Sequence, residues 1–169
     1  YVAVKRFDAA GRVCGEHRFL GLFTHLAYSA SPSAIPLLRH KTANVIRRAD
    51  LPPGGHAEKN LVNILDSFPR DELFETPEDE LLQTAIGILH LGDRQRFRLF
   101  VRRDPFERFV TCLIFAPREN YATDVRQKWQ AILLQAFNGE SSDFNVNLSE
   151  SALARVLITV RTAPGRVPR

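Results

Sequence analysis

The chain has 169 residues, of which 44% are apolar and 25% charged, and its formal net charge is +4. This composition is typical of a globular protein with its own core, and no apolar run approaches the roughly 18 residues that a membrane span needs. A net charge of this size does not by itself indicate nucleic acid. We therefore expect neither a membrane nor a nucleic-acid partner.

The chain begins at Tyr1 and contains no methionine, which suggests a processed chain or a piece of a longer one. The first apolar run is short and already carries Lys5 and Arg6, so no signal peptide is expected. Cys14 and Cys112 do not make a disulfide framework, and free thiols predict a reducing, cytoplasmic location. The five histidines show no ligand spacing with one another or with the cysteines, which argues against a zinc site.

Residues 1–28 predict a β-hairpin. Val2 and Val4 alternate with less apolar neighbours, residues 8–11 have turn chemistry, and a second strand spans about residues 12–24. A hairpin of this kind is typical of the last two strands of a preceding module.

Residues 29–75 predict a helical connector. One helix runs from about Pro36 to Arg48, and a second runs from about Ala57 until Pro69 ends it. The predicted buried positions are Leu38, Thr42, Val45 and Ile46 in the first helix, and Leu61, Ile64, Leu65 and Phe68 in the second.

Residues 76–162 predict an α+β domain with an antiparallel sheet and two covering helices, related to the ferredoxin-like folds. In its first helix, Thr76 is expected to cap, Pro77 to take the first position and Gly92 to end the helix. Strands follow at 96–102 and 108–116, then a helix at 123–137 and strands at 144–148 and 153–161. The expected buried faces are Leu82, Ala85, Ile86 and Leu89 in the first helix, and Val125, Trp129, Ile132, Leu133, Ala136 and Phe137 in the second. The tail, 163–169, is expected to be mobile.

The segment 94–119 has two apolar runs that meet at an Asp-Pro turn, and its first fifteen residues contain six arginines: Arg94, Arg96, Arg98, Arg102, Arg103 and Arg108. One strand face carries Phe97, Leu99 and Val101, and the other carries Arg96, Arg98, Phe100 and Arg102. Three roles stay open: a solvated face or salt bridges to Asp104, Glu107 and other acids; an interface with another domain or subunit; or binding of a small anion or RNA. The RNA-reading pattern of aromatic and glycine residues is absent.

No phosphate loop, nucleophile elbow or metalloprotease motif occurs in the sequence. The acids at 72–80 cluster around a helix start, where they are expected to act as helix-dipole and solubility charges. The sequence therefore predicts no catalytic, cofactor-binding or metal-binding residue in this chain.

Three segments, at 19–24 (FLGLFT), 60–74 (NLVNILDSFPRDELF) and 100–110 (FVRRDPFERFV), resemble the large bacterial NAD-specific glutamate dehydrogenases, and 116–119 and 143–146 are similar too. The resemblance implies a cytoplasmic enzyme that oxidises L-glutamate with NAD in a homo-oligomer of very long subunits. It also implies that this piece comes from the N-terminal region, which is similar to ACT and PAS sensory modules. The NAD-binding dehydrogenase core would lie further along the chain.

ACT domains often follow their first strand with D-x-P-G at a helix start, and 101–105 resembles that arrangement in part. Phe106 stands where the glycine would allow close backbone approach to a ligand, and a strand follows instead of a helix. The departure favours a structural role in pairing with other domains or subunits. The alternative is an amino-acid effector site near Arg102, Arg103 and Arg118. The interface or effector candidates are Arg102, Arg103, Asp104, Arg108 and Arg118.

Overall fold

The computed structural model describes residues 2–92, 96–148 and 152–163. The elements in these ranges are β1 (Val2–Phe7), β2 (Val13–Phe19), α1 (His25–Ser29), α2 (Leu38–Arg48), α3 (His56–Ser67), α4 (Arg70–Glu75), α5 (Glu78–Leu91), β3 (Arg98–Arg103), β4 (Phe109–Pro117), α6 (Thr123–Ala136), β5 (Ser141–Asn147) and β6 (Leu153–Arg161). Short 3-10 turns lie at Pro32–Ala34 and Arg118–Asn120. Arg94 and nearly all of the predicted mobile tail lie outside the described residues.

The main sheet has four antiparallel strands in the order β3-β4-β6-β5. β4 and β5 both pair antiparallel with β6, so they run parallel to each other and are joined through α6 in a split βαβ unit. The predicted α+β class with an antiparallel sheet is confirmed.

Apolar side chains cover both faces of this sheet. On one face, Leu113 and Phe115 of β4 pack with a cluster from α2 to α5, including Leu61 and Leu65. On the other face, Val110, Cys112 and Ile114 pack with β6 and α6. The prediction that β4 is covered on both sides is confirmed. Burial raises the pKa of the Cys112 thiol to about 12, which fits its predicted role as a small buried hydrophobe.

The edge strand β3 is less well covered on the side of α6. Leu99 and Val101 are 47% and 45% exposed, because α6 lies over β5 and β6. Ile132 of α6 is 61% exposed, so the prediction that it belongs to the buried stripe was wrong. A groove of about 290 Å³ lies between α6 and β3, and its lining includes the exposed Phe97 and the half-buried Trp129.

The helix boundaries around residues 69–77 differ from the prediction. α3 ends at Ser67, just before Pro69, as predicted, but a further helix, α4, follows Pro69, and in it Leu73 N–H donates to the Pro69 carbonyl at 2.8 Å. Thr76 ends α4 and is buried, with its N–H bonded to the Glu72 carbonyl, and it does not cap α5. Pro77 stands just before α5, which begins at Glu78. A proline at a helix start sacrifices no intrahelical hydrogen bond, so each proline here opens a helix.

Of the predicted buried face of α5, Ala85 is fully buried but Leu82, Ile86 and Leu89 are only half-buried, whereas Leu81, which was not predicted, is fully buried. The buried face is therefore rotated toward Leu81. This rotation brings Gly87 against β3, and a Phe100 ring carbon lies 2.6 Å from where a Cβ of residue 87 would be. Glycine is therefore required for α5 to approach the sheet this closely.

The β1–β2 hairpin packs differently from the main sheet. Every residue of both strands except Gly15 is exposed, including Val4 at 53% and Phe19 at 61%. β2 ends at Phe19 rather than near residue 24, and Leu20 and Leu22 beyond it are 90% and 98% exposed. A two-stranded hairpin with both faces in water is at best marginally stable.

Candidate functional site

The turn between β3 and β4 is built by Asp104. Asp104 N–H donates to the Phe109 carbonyl at 3.0 Å, and Glu107 N–H donates to the Asp104 carbonyl at 2.9 Å. Glu107 has a φ of 54°, as expected for the left-handed residue that closes a hairpin of this length. We call β3, this turn and β4 the arginine hairpin.

Asp104 and Arg108 form a two-point ion pair across the turn. Asp104 Oδ2 accepts from Arg108 Nε at 2.8 Å, and Asp104 Oδ1 accepts from Arg108 Nη2 at 3.1 Å. Asp104 Oδ2 also accepts from the Arg108 backbone N–H at 3.1 Å. The hydrogen bonds from Arg108 lower the pKa of Asp104, whose side chain is buried, whereas the Arg108 side chain is 58% exposed. The carboxylate therefore orders the turn while the guanidinium still faces solvent.

Arg102 lies on the inner face of β3 and binds α4. Its Nε donates to Glu72 Oε2 at 2.8 Å, and its Nη2 donates to Glu72 Oε1 at 2.6 Å. Nη2 also donates to Glu75 Oε2 at 2.9 Å, and the Thr111 hydroxyl donates to Glu72 Oε2 at 2.8 Å. Arg102 and Glu72 are 7% and 8% exposed. We call Glu72, Glu75, Arg102 and Thr111 the clamp, because they join α4 to the sheet.

The positive charge of Arg102 is compensated by carboxylates of the same chain. Burial alone would lower the pKa of Arg102, but the hydrogen bonds and charges of Glu72 and Glu75 outweigh it and hold that pKa above its ordinary value. On the other side of α4, Lys41 Nζ donates to the carbonyls of Leu73 and Phe74, each at 2.9 Å. Lys41 thereby binds two carbonyls in the last turn of α4, where a cation is favoured.

The five candidate residues do not converge on one site. Arg103 lies on the face opposite Arg102 and is exposed, opposite Val110 in the register. Arg118 follows the far end of β4, about 24 Å from Thr111 at roughly 3.4 Å per residue, and its N–H donates to the Ala152 carbonyl. Asp104, Arg103 and Arg108 share the tip of the arginine hairpin, and Arg102 lies inside the molecule.

Two residues that complete the clamp were missed as partners in the sequence. Glu72 and Glu75 were interpreted as helix-dipole charges, but both point toward Arg102. No pattern within the six residues of α4 singles them out, because their partner Arg102 lies 30 and 27 residues further along the chain.

A polar cavity of about 370 Å³ opens beside Arg102, between α5 and β3. Its polar lining comes from Glu72, Thr76, Glu80, Gln83, Thr84, Arg98, Arg102 and Thr111. Both acids and bases line it, so its charges balance in large part without a ligand.

The described residues contain neither a cluster of metal ligands nor a free glycine-rich loop for a dinucleotide. No group of three or more His, Cys, Asp or Glu side chains in the described ranges could hold a metal ion. The Gly54–Gly55 pair precedes α3, but Gly54 N–H donates to Glu58 Oε2 at 2.6 Å, so a carboxylate already occupies the place of a phosphate. This glycine pair does not fit a nucleotide. Within the same ranges, none of the helices is long and apolar enough for a membrane span.

Two family models match the chain. That of the glutamate dehydrogenase ACT2 domain covers residues 98–169, and that of glutamate dehydrogenase helical motif 1 covers residues 35–94. Three proteins named NAD-specific glutamate dehydrogenase are similar over most of it. The relative from Halomonas elongata is 45% identical over 95% of this chain, that from Pseudomonas aeruginosa 42% over 97%, and that from Mycobacterium tuberculosis 34% over 86%. The chain spans only 10%, 10% and 9% of these relatives. The resemblance inferred from the sequence is confirmed.

Proposed function

Because the chain belongs to the glutamate dehydrogenase family, we propose that it is a non-catalytic regulatory and assembly segment of an NAD-dependent glutamate dehydrogenase. The parent enzyme would convert L-glutamate, NAD and water to 2-oxoglutarate, ammonia and NADH in the cytoplasm. Catalysis and NAD binding are assigned to the rest of the parent chain. The observation that carries the proposal is the match of an ACT2 domain and a helical motif over a tenth of the length of such enzymes.

In this proposal, the β1–β2 hairpin belongs to a preceding module of the same enzyme. Its exposed apolar residues, such as Val4 and Phe19, would be covered by a preceding module, with residues 1–28 forming the end of that module. Support comes from the exposure of both faces, because such a hairpin gains stability only when it joins a larger sheet or core.

The proposal assigns the tip of the arginine hairpin to a contact between domains or subunits of a homo-oligomer. Phe106 is 72% exposed there, and the Arg108 guanidinium lies 5.1 Å from the centre of its ring. Exposed arginine next to an exposed aromatic ring is the composition that interface hot spots favour. Asp104 orders Arg108 beside Phe106 through its ion pair, and Arg102 fixes β3 to α4 through its ion pair with Glu72.

The test is the mass of the full-length parent enzyme after charge reversal at the tip. Arg103→Glu combined with Arg108→Glu should shift the assembly toward smaller species at micromolar concentration, measured by analytical ultracentrifugation. The charge-matched control combines Arg47→Glu in α2 with Lys59→Glu in α3, both exposed and outside the arginine hairpin. An unchanged assembly in the Arg103/Arg108 variant would refute the role of the tip.

The alternative is that the segment senses an amino-acid effector. The separation of Arg118 from the hairpin tip and the pairing of Arg102 with two carboxylates weigh against the site first considered. The observation that supports this alternative is the polar cavity beside Arg98 and Arg102, which could hold an amino acid. A melting-temperature rise of the chain with one amino acid, abolished by Arg98→Gln, would favour this alternative over assembly.

A further inference from the structure

A second cleft opens at the opposite end of the sheet from the hairpin tip. Its volume is about 440 Å³, and it lies between α3, the end of α5 and the strands β5 and β6. The apolar part of its lining consists of Ile64, Phe68, Ile88, Leu89, Phe115 and Leu153. This volume falls within the range of cavities that hold small organic ligands.

Arg155 is the cation of this cleft. It lies on β6 opposite Phe115 of β4 and Asn147 of β5, on the same sheet face as Arg102. Its Nη1 donates to the backbone carbonyl of Ser67 at the end of α3, and no carboxylate of the described residues pairs with it. A guanidinium has five donor hydrogens, so most of its hydrogen-bonding capacity remains.

The same cleft is lined by three carboxamide side chains. Asn60 and Asn63 are three residues apart on α3 and therefore lie on the same side of that helix. Asn147 lies at the end of β5, across from Arg155 in the register. Carboxamides both donate and accept hydrogen bonds without adding charge, so they can orient a polar ligand but leave the positive charge of Arg155 uncompensated.

We propose that this cleft binds a small monocarboxylate with an apolar substituent, its carboxylate on Arg155 and its apolar part against Phe68 and Phe115. One cation matches one carboxylate, and arginine binds a carboxylate through two parallel hydrogen bonds. The apolar wall then covers the rest of the ligand, and the three carboxamides recognise polar groups on it. The inference does not depend on the assembly role of the hairpin tip, which lies at the other end of the sheet.

The electrostatics of Arg155 agree with the geometry. Burial lowers the pKa of Arg155, and no carboxylate of the described residues offsets this shift. The guanidinium stays protonated at neutral pH, so the site keeps a partly desolvated positive charge. A bound carboxylate would supply the compensation that Glu72 supplies to Arg102.

The experiment titrates the 169-residue chain with 4-methylpentanoate and 3-phenylpropanoate, each compared with its own amide. Calorimetry and melting temperature should show saturable binding of at least one acid, with its amide at least about tenfold weaker, because the amide cannot make the charged pair. Equal binding of acid and amide, or no saturable binding of either acid at millimolar concentration, would overturn the proposal.

Variants locate the site. Arg155→Gln should weaken binding of the acid at least about tenfold by removing the ion pair. Arg161→Gln, on the other end of β6 and exposed, should leave binding unchanged. Asn63→Phe keeps Arg155 and changes an exposed residue of α3, so its loss of binding would report a filled cleft even if Arg155→Gln were poorly folded. Circular dichroism establishes the folding of each variant, and parental affinity in folded Arg155→Gln or in Asn63→Phe would refute the assignment.

Discussion

Arg102 and Arg155 both point from the same face of one sheet toward the helical layer, and their surroundings differ in charge. Arg102 on β3 meets two carboxylates from α4, whereas Arg155 on β6 meets the carbonyl end of α3. Burial acts on both pKa values in the same direction, yet the pKa of Arg102 is raised and that of Arg155 is lowered. Arg102, with its two carboxylates, fixes α4 to the sheet, whereas Arg155 pairs with no carboxylate of the described residues and is the arginine that we propose for a ligand.

The difference arises from where the helices end. α3 ends at Ser67, whose carbonyl oxygen accepts from Arg155 of β6, and α4 then begins at Arg70 and places Glu72 against Arg102 of β3. A helix terminus supplies only partial negative charge, about half of an elementary charge. A carboxylate pair supplies full charges and two-point geometry. The short break between α3 and α4 therefore assigns a structural role to one arginine and leaves the other open.

The largest effect that the comparison predicts is that of Arg102→Met. Removing the cation leaves Glu72 buried with only the Thr111 hydroxyl as a hydrogen-bond donor from the clamp, and breaking a buried pair on one side costs about 3–5 kcal/mol. Urea unfolding of the chain, compared with the parent, measures the loss. A difference below about 1 kcal/mol, the range of exposed ion pairs, would contradict the structural role.

The double variant Arg102→Met with Glu72→Leu is the control for that result. Replacing both partners removes the uncompensated charge, so its free energy of unfolding should lie closer to the parent value than that of Arg102→Met alone. If the double variant were the less stable of the two, the loss would come from packing around Arg102 rather than from the stranded carboxylate.

Asp104→Asn should have an intermediate effect, because this ion pair has one buried and one exposed partner. The amide keeps a hydrogen-bond acceptor for the turn but loses the charge, so the free energy of unfolding should fall by about 1–2 kcal/mol at pH 7, as expected for hydrogen bonds to charged groups.

The pH dependence of this effect follows from the pKa of Asp104, which is lowered in the folded state. The contribution of the carboxylate to stability is complete above the unfolded pKa of about 4 and is lost as the pH falls through the folded pKa. The stability difference between parent and variant should therefore be constant from about pH 7 to 5 and shrink below about pH 4. A difference that grows on acidification would contradict this account.

Sequence periodicity predicted much of the fold, but it could not predict that Glu72 and Glu75 pair with Arg102 in the clamp. The buried positions Leu61 and Leu65 of α3 and the doubly covered strand β4 follow from local pattern alone, because each pattern repeats within one element. Pro69 was ambiguous, since a proline can end one helix or open the next, and α4 was missed for that reason. Glu72 lies 30 residues from Arg102, so their contact depends on how α4 packs on the sheet. Local pattern contains no information on that packing.

The smallest effect on stability is expected for Arg155→Met without ligand. The variant loses a hydrogen bond to Ser67, but it also removes a partly desolvated charge that no carboxylate of the described residues offsets, and the methionine can pack on Phe115. Because the lost hydrogen bond and the removed charge act in opposite directions, the free energy of unfolding should stay within about 1 kcal/mol of the parent value. The loss expected for Arg102→Met is several times larger. Urea unfolding of both variants under the same conditions makes the measurement direct. Equal losses in the two would mean that Arg155 is a structural residue, and the distinction between the clamp and the cleft would then fail.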